Sequence, residues 1–244
     1  MLTSLQNTKV KEWKKLHKRK YRNQTGTFIV EGFHLVEEVL KSDWEIVEMI
    51  VREGTDFSTP TDIPTVMVND VVFQAISETE TPQGIAAVVK QKESSVDQAA
   101  LTLMLDSVQD PGNVGTLIRT ADAAGFDQVI LGSGTVDVYN DKVIRATQGS
   151  IFHIPVLSGE LEEFIEPMKR DGVQILASAL KDAVPFQQLQ APSKAALIVG
   201  NEGQGIQENL LTQADQRVYI PIYGQAESLN VGIAGAVLMY HLKG

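Results

Sequence analysis

Ile220-Pro221-Ile222-Tyr223-Gly224-Gln225-Ala226-Glu227-Ser228-Leu229-Asn230-Val231-Gly232-Ile233-Ala234 joins a β-rich run to a glycine turn and then to small residues that open a helix. Two earlier stretches follow the same order of strand, glycine-bearing polar turn and helix. Asn113-Val114-Gly115-Thr116-Leu117-Ile118-Arg119 follows residues 101–106, and Gly200-Asn201-Glu202-Gly203-Gln204-Gly205 follows residues 195–199. All three turns fall at the carboxyl ends of strands, where open α/β sheets bind their ligands.

Around these turns, apolar runs at 101–105, 128–131, 173–178, 195–199 and 217–222 alternate with helical segments, the pattern of a parallel sheet covered on both faces. Upstream, strands are expected at 27–30, 45–51, 65–68 and 84–90 and helices at 33–41 and 69–75, a small α/β unit of its own. The polar stretch 91–98 reads as a linker. The expected division is a basic amino-terminal arm at 1–22, a small α/β domain at 23–91 and a larger α/β domain at 99–244.

Composition narrows the function. The 244 residues are 43% hydrophobic, enough for a core, and no apolar run reaches the length of a membrane span or forms a signal peptide. Zero cysteines exclude disulfides, thiolate nucleophiles and Cys-bound metal, and His17, His34, His153 and His241 lack ligand spacing, so no metal is expected. A cytoplasmic protein is expected. The net charge of −10 is unevenly spread: residues 1–22 hold eight lysines and arginines against Glu12 alone. Such a run reads either as a solvated helix face or as a polyanion contact, with Trp13 and Tyr21 available to stack on bases.

In the first turn, Asn113 is placed to cap a helix over 114–124 with Gly125 beyond its end. Arg119, six residues on, reads equally well as a solvated helix arginine or as a group reaching the same mouth. The second turn lacks the Lys-Ser or Lys-Thr of a phosphate loop, and neither it nor Gly132-Ser133-Gly134 completes a dinucleotide fingerprint. Its Glu202, between glycines, can accept from a ligand hydroxyl or fix an arginine. In the third turn Ser228 reads as a helix cap, and Gly232, Ala234, Gly235 and Ala236 form a face that admits a close neighbour.

Taken together, Asn113-x-Gly115-x-x-x-Arg119, Gly200-x-Glu202-Gly203-x-Gly205, and Ile220-Pro221-x-x-Gly224 with Ser228-Leu229-Asn230-Val231-x-x-Ala234 resemble, in order and spacing, the three motifs of the SpoU (TrmH-type) RNA 2′-O-methyltransferases of the SPOUT superfamily. The front half is similar to the L30e-like substrate-binding domain that often precedes that catalytic domain. The resemblance implies an α/β fold with a deep carboxyl-terminal trefoil knot, a homodimer, and S-adenosylmethionine held around Gly200, Glu202, Gly203, Ile220, Leu229 and Asn230. It implies methylation of a ribose 2′-hydroxyl in RNA, ribosomal RNA before transfer RNA. Because a guanidinium has a pKa above ~12, Arg119 is expected to stabilise the developing alkoxide and hold the adjacent phosphate, oriented by Asn113, Glu202, Ser228 and Asn230. Lys14, Lys15, Lys18, Arg19, Lys20, Arg22 and Arg145 are the expected RNA contacts. Gly232, where a serine is common, and Thr147-Gln148, where Ser-Met is common, depart from the pattern. A non-catalytic RNA-binding or ribosome-assembly protein, the alternative from another class, predicts degraded motifs, and these are intact.

Overall fold

The structure, a computed structural model, describes residues 1–92 and 99–244. Most of the expected linker, at 93–98, lies outside the described residues. In chain order the elements are α1 (Thr8–Lys15), α2 (Arg19–Thr25), β1 (Thr27–Glu31), α3 (Phe33–Lys41), β2 (Ile46–Arg52), β3 (Thr65–Val68), α4 (Asp70–Ile76) and β4 (Ile85–Lys90). They continue with β5 (Leu101–Leu105), α5 (Pro111–Ala123), β6 (Gln128–Gly132), α6 (Asp141–Thr147), β7 (Val156–Gly159), α7 (Leu161–Arg170), β8 (Gln174–Ser178) and β9 (Val184–Pro185). Last come β10 (Ala195–Val199), α8 (Glu208–Gln213), β11 (Gln216–Tyr219) and α9 (Val231–Lys243). Two compact units result, Met1–Glu93 with Asp137–Phe152, and Ser94–Val136 with His153–Gly244.

The first unit is built on a four-stranded sheet in the order β1-β4-β2-β3, antiparallel except for the β2–β3 pair. Val10, Trp13 and Leu16 join Val72, Phe73 and Ile76 in a buried cluster with Ile50, Val68, Ala86 and Val88 of the sheet. Residues 1–22 are therefore not an appended arm. The charge run conceals a 10, 13, 16 apolar spacing that fits one helix face. Residues 137–152, expected in the larger domain, pack in this unit instead. Their Tyr139 ring lies 4.6 Å from Phe28, Phe152 is edge-on to Trp44 at 5.5 Å, and Asp137 pairs with the buried Arg22.

The second unit holds a wholly parallel seven-stranded sheet in the order β7-β6-β5-β10-β8-β11-β9. Strands β5, β6 and β10 are buried on both faces, as near-continuous apolar runs require. Met104, Ile130, Ala196 and Ile198 meet α7 and α8 through Leu161, Ile165 and Leu210. On α5, the buried Val114, Leu117, Ile118 and Ala121 trace one face at helical spacing. The small-residue face of α9 packs on α5: a Cβ at Gly235 would stand 2.4 Å from Leu117 Cδ2. Because β10 inserts beside β5, residues after β5 and after β10 become neighbours at the carboxyl edge of the sheet.

Candidate active site

Three side chains, one from each glycine-bearing turn, form a continuous hydrogen-bonded line. The Asn230 amide donates to Asn113 Oδ1 at 2.9 Å, and the Asn113 amide donates to Glu202 Oε1 at 2.9 Å. Burial disfavours the charged form of Glu202. The bond from Asn113 and others from the main-chain N–H groups of Glu202, Gln109 and Asp110 outweigh it and hold the carboxyl below its ordinary value of 4.5.

Each member is fixed by its own local structure. Asn230, not Ser228, is the N-cap of α9, its Oδ1 accepting from Gly232 N and Ile233 N at 2.9 and 3.3 Å. Likewise Asp110, not Asn113, caps α5, accepting from Asn113 N at 2.8 Å. Pro111 at the first helical position marks the residue before it as the cap, a signal present in the sequence. Freed from capping, the Asn113 side chain can bond sideways. The Glu202 loop closes on itself: Asn201 and Gly205 exchange main-chain bonds at 3.0 and 2.9 Å, and Asn201 Oδ1 accepts from Gly203 N and Gln204 N. Gly200 is required by this closure, since a Cβ there would stand 2.4 Å from the Gly205 carbonyl carbon.

Sequence reasoning missed the supports beneath the loop. The Asn201 amide donates to Ser107 O at 2.8 Å, and the buried Asp106 carboxylate accepts from Gln207 N and Nε2 at 2.7 and 2.6 Å. Ser107 adopts a left-handed backbone with φ 56°. Nothing in residue spacing announces these contacts, because each joins segments about a hundred positions apart.

A cavity of about 150 Å³ opens between the end of β8, residues after β11 and the start of α9, lined by Ser178, Leu180, Ile220, Ile222, Ser228 and Leu229 among others. From Pro221 to Leu229 no main-chain N–H or C=O bonds another described main-chain group. A mostly apolar cavity edged by exposed peptide groups without main-chain partners fits an amphipathic ligand. Of the residues expected to hold a cofactor, Ile220 and Leu229 line this cavity, while Gly200, Glu202, Gly203 and Asn230 lie outside its lining. Arg119 stays outside the hydrogen-bonded line; it is exposed, and its side chain bonds no other described residue. Among the described residues no group of three or more metal-ligating side chains gathers.

In the first unit, Lys14, Lys15, Lys18, Arg19 and Lys20 are exposed, with Lys15 Nζ 5.5 Å from the centre of the Tyr21 ring. Arg22, an expected RNA contact, and Trp13, noted as available to stack on a base, are withdrawn into the core. Trp13 is 2% exposed and donates from Nε1 to Glu48 Oε1 at 2.8 Å; Arg22 is 3% exposed, bonded to Leu16 O and Asp137. Each is amphipathic enough to serve as a core residue once its polar end is paired. Arg145 is half-buried and pairs with Asp141 at 2.7 Å.

Residues 100–240 match the model of the SpoU rRNA Methylase family, and residues 7–87 that of the MRM3-like substrate binding domain. The chain is 49% identical to the 23S rRNA (guanosine(2553)-2′-O)-methyltransferase RlmP of Bacillus subtilis, over 100% of this chain and 99% of that one. It is 30% identical to a tRNA/rRNA methyltransferase of Synechocystis, over 99% and 93% of the two chains. Among solved structures, the AdoMet-bound rRNA methyltransferase from Sinorhizobium meliloti superimposes with a TM-score of 0.90 at 32% identity, covering 99% of this chain and 96% of that one.

Proposed function

Because the chain belongs to the SpoU rRNA methylase family, we propose that it is an S-adenosylmethionine-dependent methyltransferase acting on a ribose 2′-hydroxyl of ribosomal RNA. The observation that carries this reading at the site is the line Asn230–Asn113–Glu202, which ties all three motifs together. S-adenosylmethionine, when bound, supplies a methyl group activated by its sulfonium. Ile220, Ser228 and Leu229 would hold it in the apolar cavity, and the unbonded peptide groups between Pro221 and Leu229 would take its polar edges.

Arg119 meets the ribose. Its free guanidinium is a poor base but a planar fork of donors, suited to hold a phosphate oxygen and to stabilise negative charge on the 2′-oxygen as the bond to carbon forms. Glu202, kept ionised by its donors, is fixed by Asn113, which Asn230 holds in turn. The site gains rate by alignment in a pre-formed geometry.

Further features of the molecule belong to the same proposal, beyond the parallel α/β sheet. The carboxyl-terminal segment forms a trefoil knot, supported by β10 standing between β5 and β8 and by α9 lying on α5. The first unit is an L30e-like RNA-binding domain whose exposed Lys14, Lys15, Lys18, Arg19 and Lys20 follow phosphates, with Arg145 as a further contact. A homodimer is supported by the exposed Ile233 and Tyr240 on α9. A cytoplasmic location is part of the same reading, supported by the likeness to an enzyme of ribosomal RNA. Incubation with methyl-labelled S-adenosylmethionine and 23S ribosomal RNA, transfer RNA as control, tests the substrate. Label confined to ribosomal RNA is expected; label in transfer RNA alone would overturn it.

A further inference from the structure

A cavity of about 310 Å³ in the first unit, at the lower end of the ~300–1,000 Å³ range of small-ligand sites, has a polar lining that neither the fold nor the methyl transfer explains. Its chemistry comes from Glu31, His34, Thr81, Gln83, Arg145 and Gln148. Several of these groups are half-engaged. Glu31 accepts from Ser77 Oγ and Thr79 Oγ1, both at 2.7 Å and both on Oε1, so Oε2 has no partner among the described residues. Gln83 accepts from Phe33 N through Oε1 at 2.8 Å, which leaves its amide N–H groups unbonded. Arg145 gives Nη1 to Asp141 and keeps Nε and Nη2. The Thr81 hydroxyl bonds no described residue.

One carboxylate held in place by two hydroxyls, facing a cavity that also contains spare amide and guanidinium donors, is a selective pattern. A carboxylate takes two adjacent N–H groups best, and guanine is the standard base that offers them, N1–H beside N2–H, with O6 next to them for a donor. Adenine and cytosine each pair a donor with an acceptor on that edge, and uracil has a single N–H between two carbonyls. A second, smaller cavity of about 20 Å³, room for one water, shares Glu31, Leu35 and Arg145 with the first and reaches His17, beside the exposed Lys18, Arg19 and Lys20.

We propose that this pocket of the first unit binds an unpaired guanine of the RNA, with the free Oε2 of Glu31 accepting from both N1–H and N2–H and Arg145 or Gln83 donating to O6. The proposal rests on the reading of the chain as an RNA methyltransferase and adds a base-reading site to it.

Fluorescence anisotropy of the full chain with labelled single-stranded pentamers UUGUU, UUAUU, UUCUU and UUUUU tests it, together with UUIUU, in which inosine lacks only the 2-amino group. UUGUU is expected to bind ~10-fold tighter than the other standard pentamers, and inosine to lose most of that gain. Glu31→Gln should bring UUGUU down to UUUUU while leaving UUUUU unchanged or tighter. A merely electrostatic role for Glu31 predicts tighter binding of every pentamer in that variant. Equal binding of all pentamers, no binding of any, full retention with inosine, or a guanine preference that survives Glu31→Gln overturns the proposal. Methyl transfer to 23S ribosomal RNA by the unaltered chain is measured alongside. Intact transfer without base discrimination rejects the pocket alone, whereas absent transfer rejects the enzyme reading.

Discussion

Asn113 is bonded on both sides of its amide, accepting from Asn230 and donating to Glu202, so an aspartate of the same shape would replace the second bond by two facing carboxylates. Asn113→Asp is expected to lower single-turnover methyl transfer by ~100-fold or more, the scale for losing one pre-organised donor, with little change in cofactor affinity. Proton linkage gives a second readout. The folded-state pKa of Glu202 is depressed, so its contribution to stability is present above the ordinary value of 4.5 and is lost as pH falls through the lower folded value. Asn113→Ala removes a donor and should raise the Glu202 pKa in a carboxyl-carbon NMR titration; an unmoved titration would mean the bond does not act on the carboxylate. Arg119→Ala should abolish transfer while preserving the fold and cofactor binding, and Arg119→Lys should rescue poorly because an ammonium lacks the planar fork. Near-normal transfer by the alanine variant would return Arg119 to a solvated helix arginine. The identities Asn113, Glu202 and Asn230 were legible in the sequence. Their pairing across 89 and 117 positions was not, since spacing does not say which loops meet once β10 inserts beside β5.

At the scale of elements, the glycines of α9 and of the Glu202 loop permit contacts that set the site. Gly235→Ala would drive a methyl group into Leu117, and overpacking of this kind costs about 1–3 kcal/mol. Urea denaturation should show that loss, and Leu117→Ala in the same chain should recover part of it, since neighbouring substitutions couple. Additive losses would mean that the two side chains do not share the space. Strand positions such as 101–105 and 195–199 were readable because buried parallel strands are unbroken apolar runs. Cap identities were misread at both helices of the site. Asn113 and Ser228 have good capping chemistry, but Pro111 and the geometry at Asn230 move each cap to Asp110 and Asn230. Strand β9 escaped notice because it is two residues long, and β7 because it is a part-exposed run that ends in Ser158-Gly159.

For the whole molecule, a net charge of −10 conceals the exposed cations Lys14, Lys15, Lys18, Arg19 and Lys20 of the first unit. Deleting residues 1–22 would remove Val10, Trp13 and Leu16 from a core cluster, so the charge must be tested by substitution. Replacing Lys14, Lys15, Lys18, Arg19 and Lys20 by glutamine should weaken RNA binding and flatten its salt dependence by ~0.7–0.9 in log–log slope for each phosphate that is no longer neutralised. Cofactor affinity, measured by calorimetry, should not change; an equal loss there would make these residues structural. Residues 137–152 show the limit of sequence reading at this scale. Their aromatic and acidic side chains complete the first unit, although the chain reaches them from β6 and leaves them for β7, and no composition shift marks the excursion. The most direct test of the central claim is methylation of 23S ribosomal RNA by the purified chain with S-adenosylmethionine, followed by alkaline hydrolysis and mass analysis of the surviving dinucleotides. The predicted result is one alkali-resistant linkage carrying a ribose methyl group, absent with Arg119→Ala; a methyl group on a base, or none on ribosomal RNA, would contradict it.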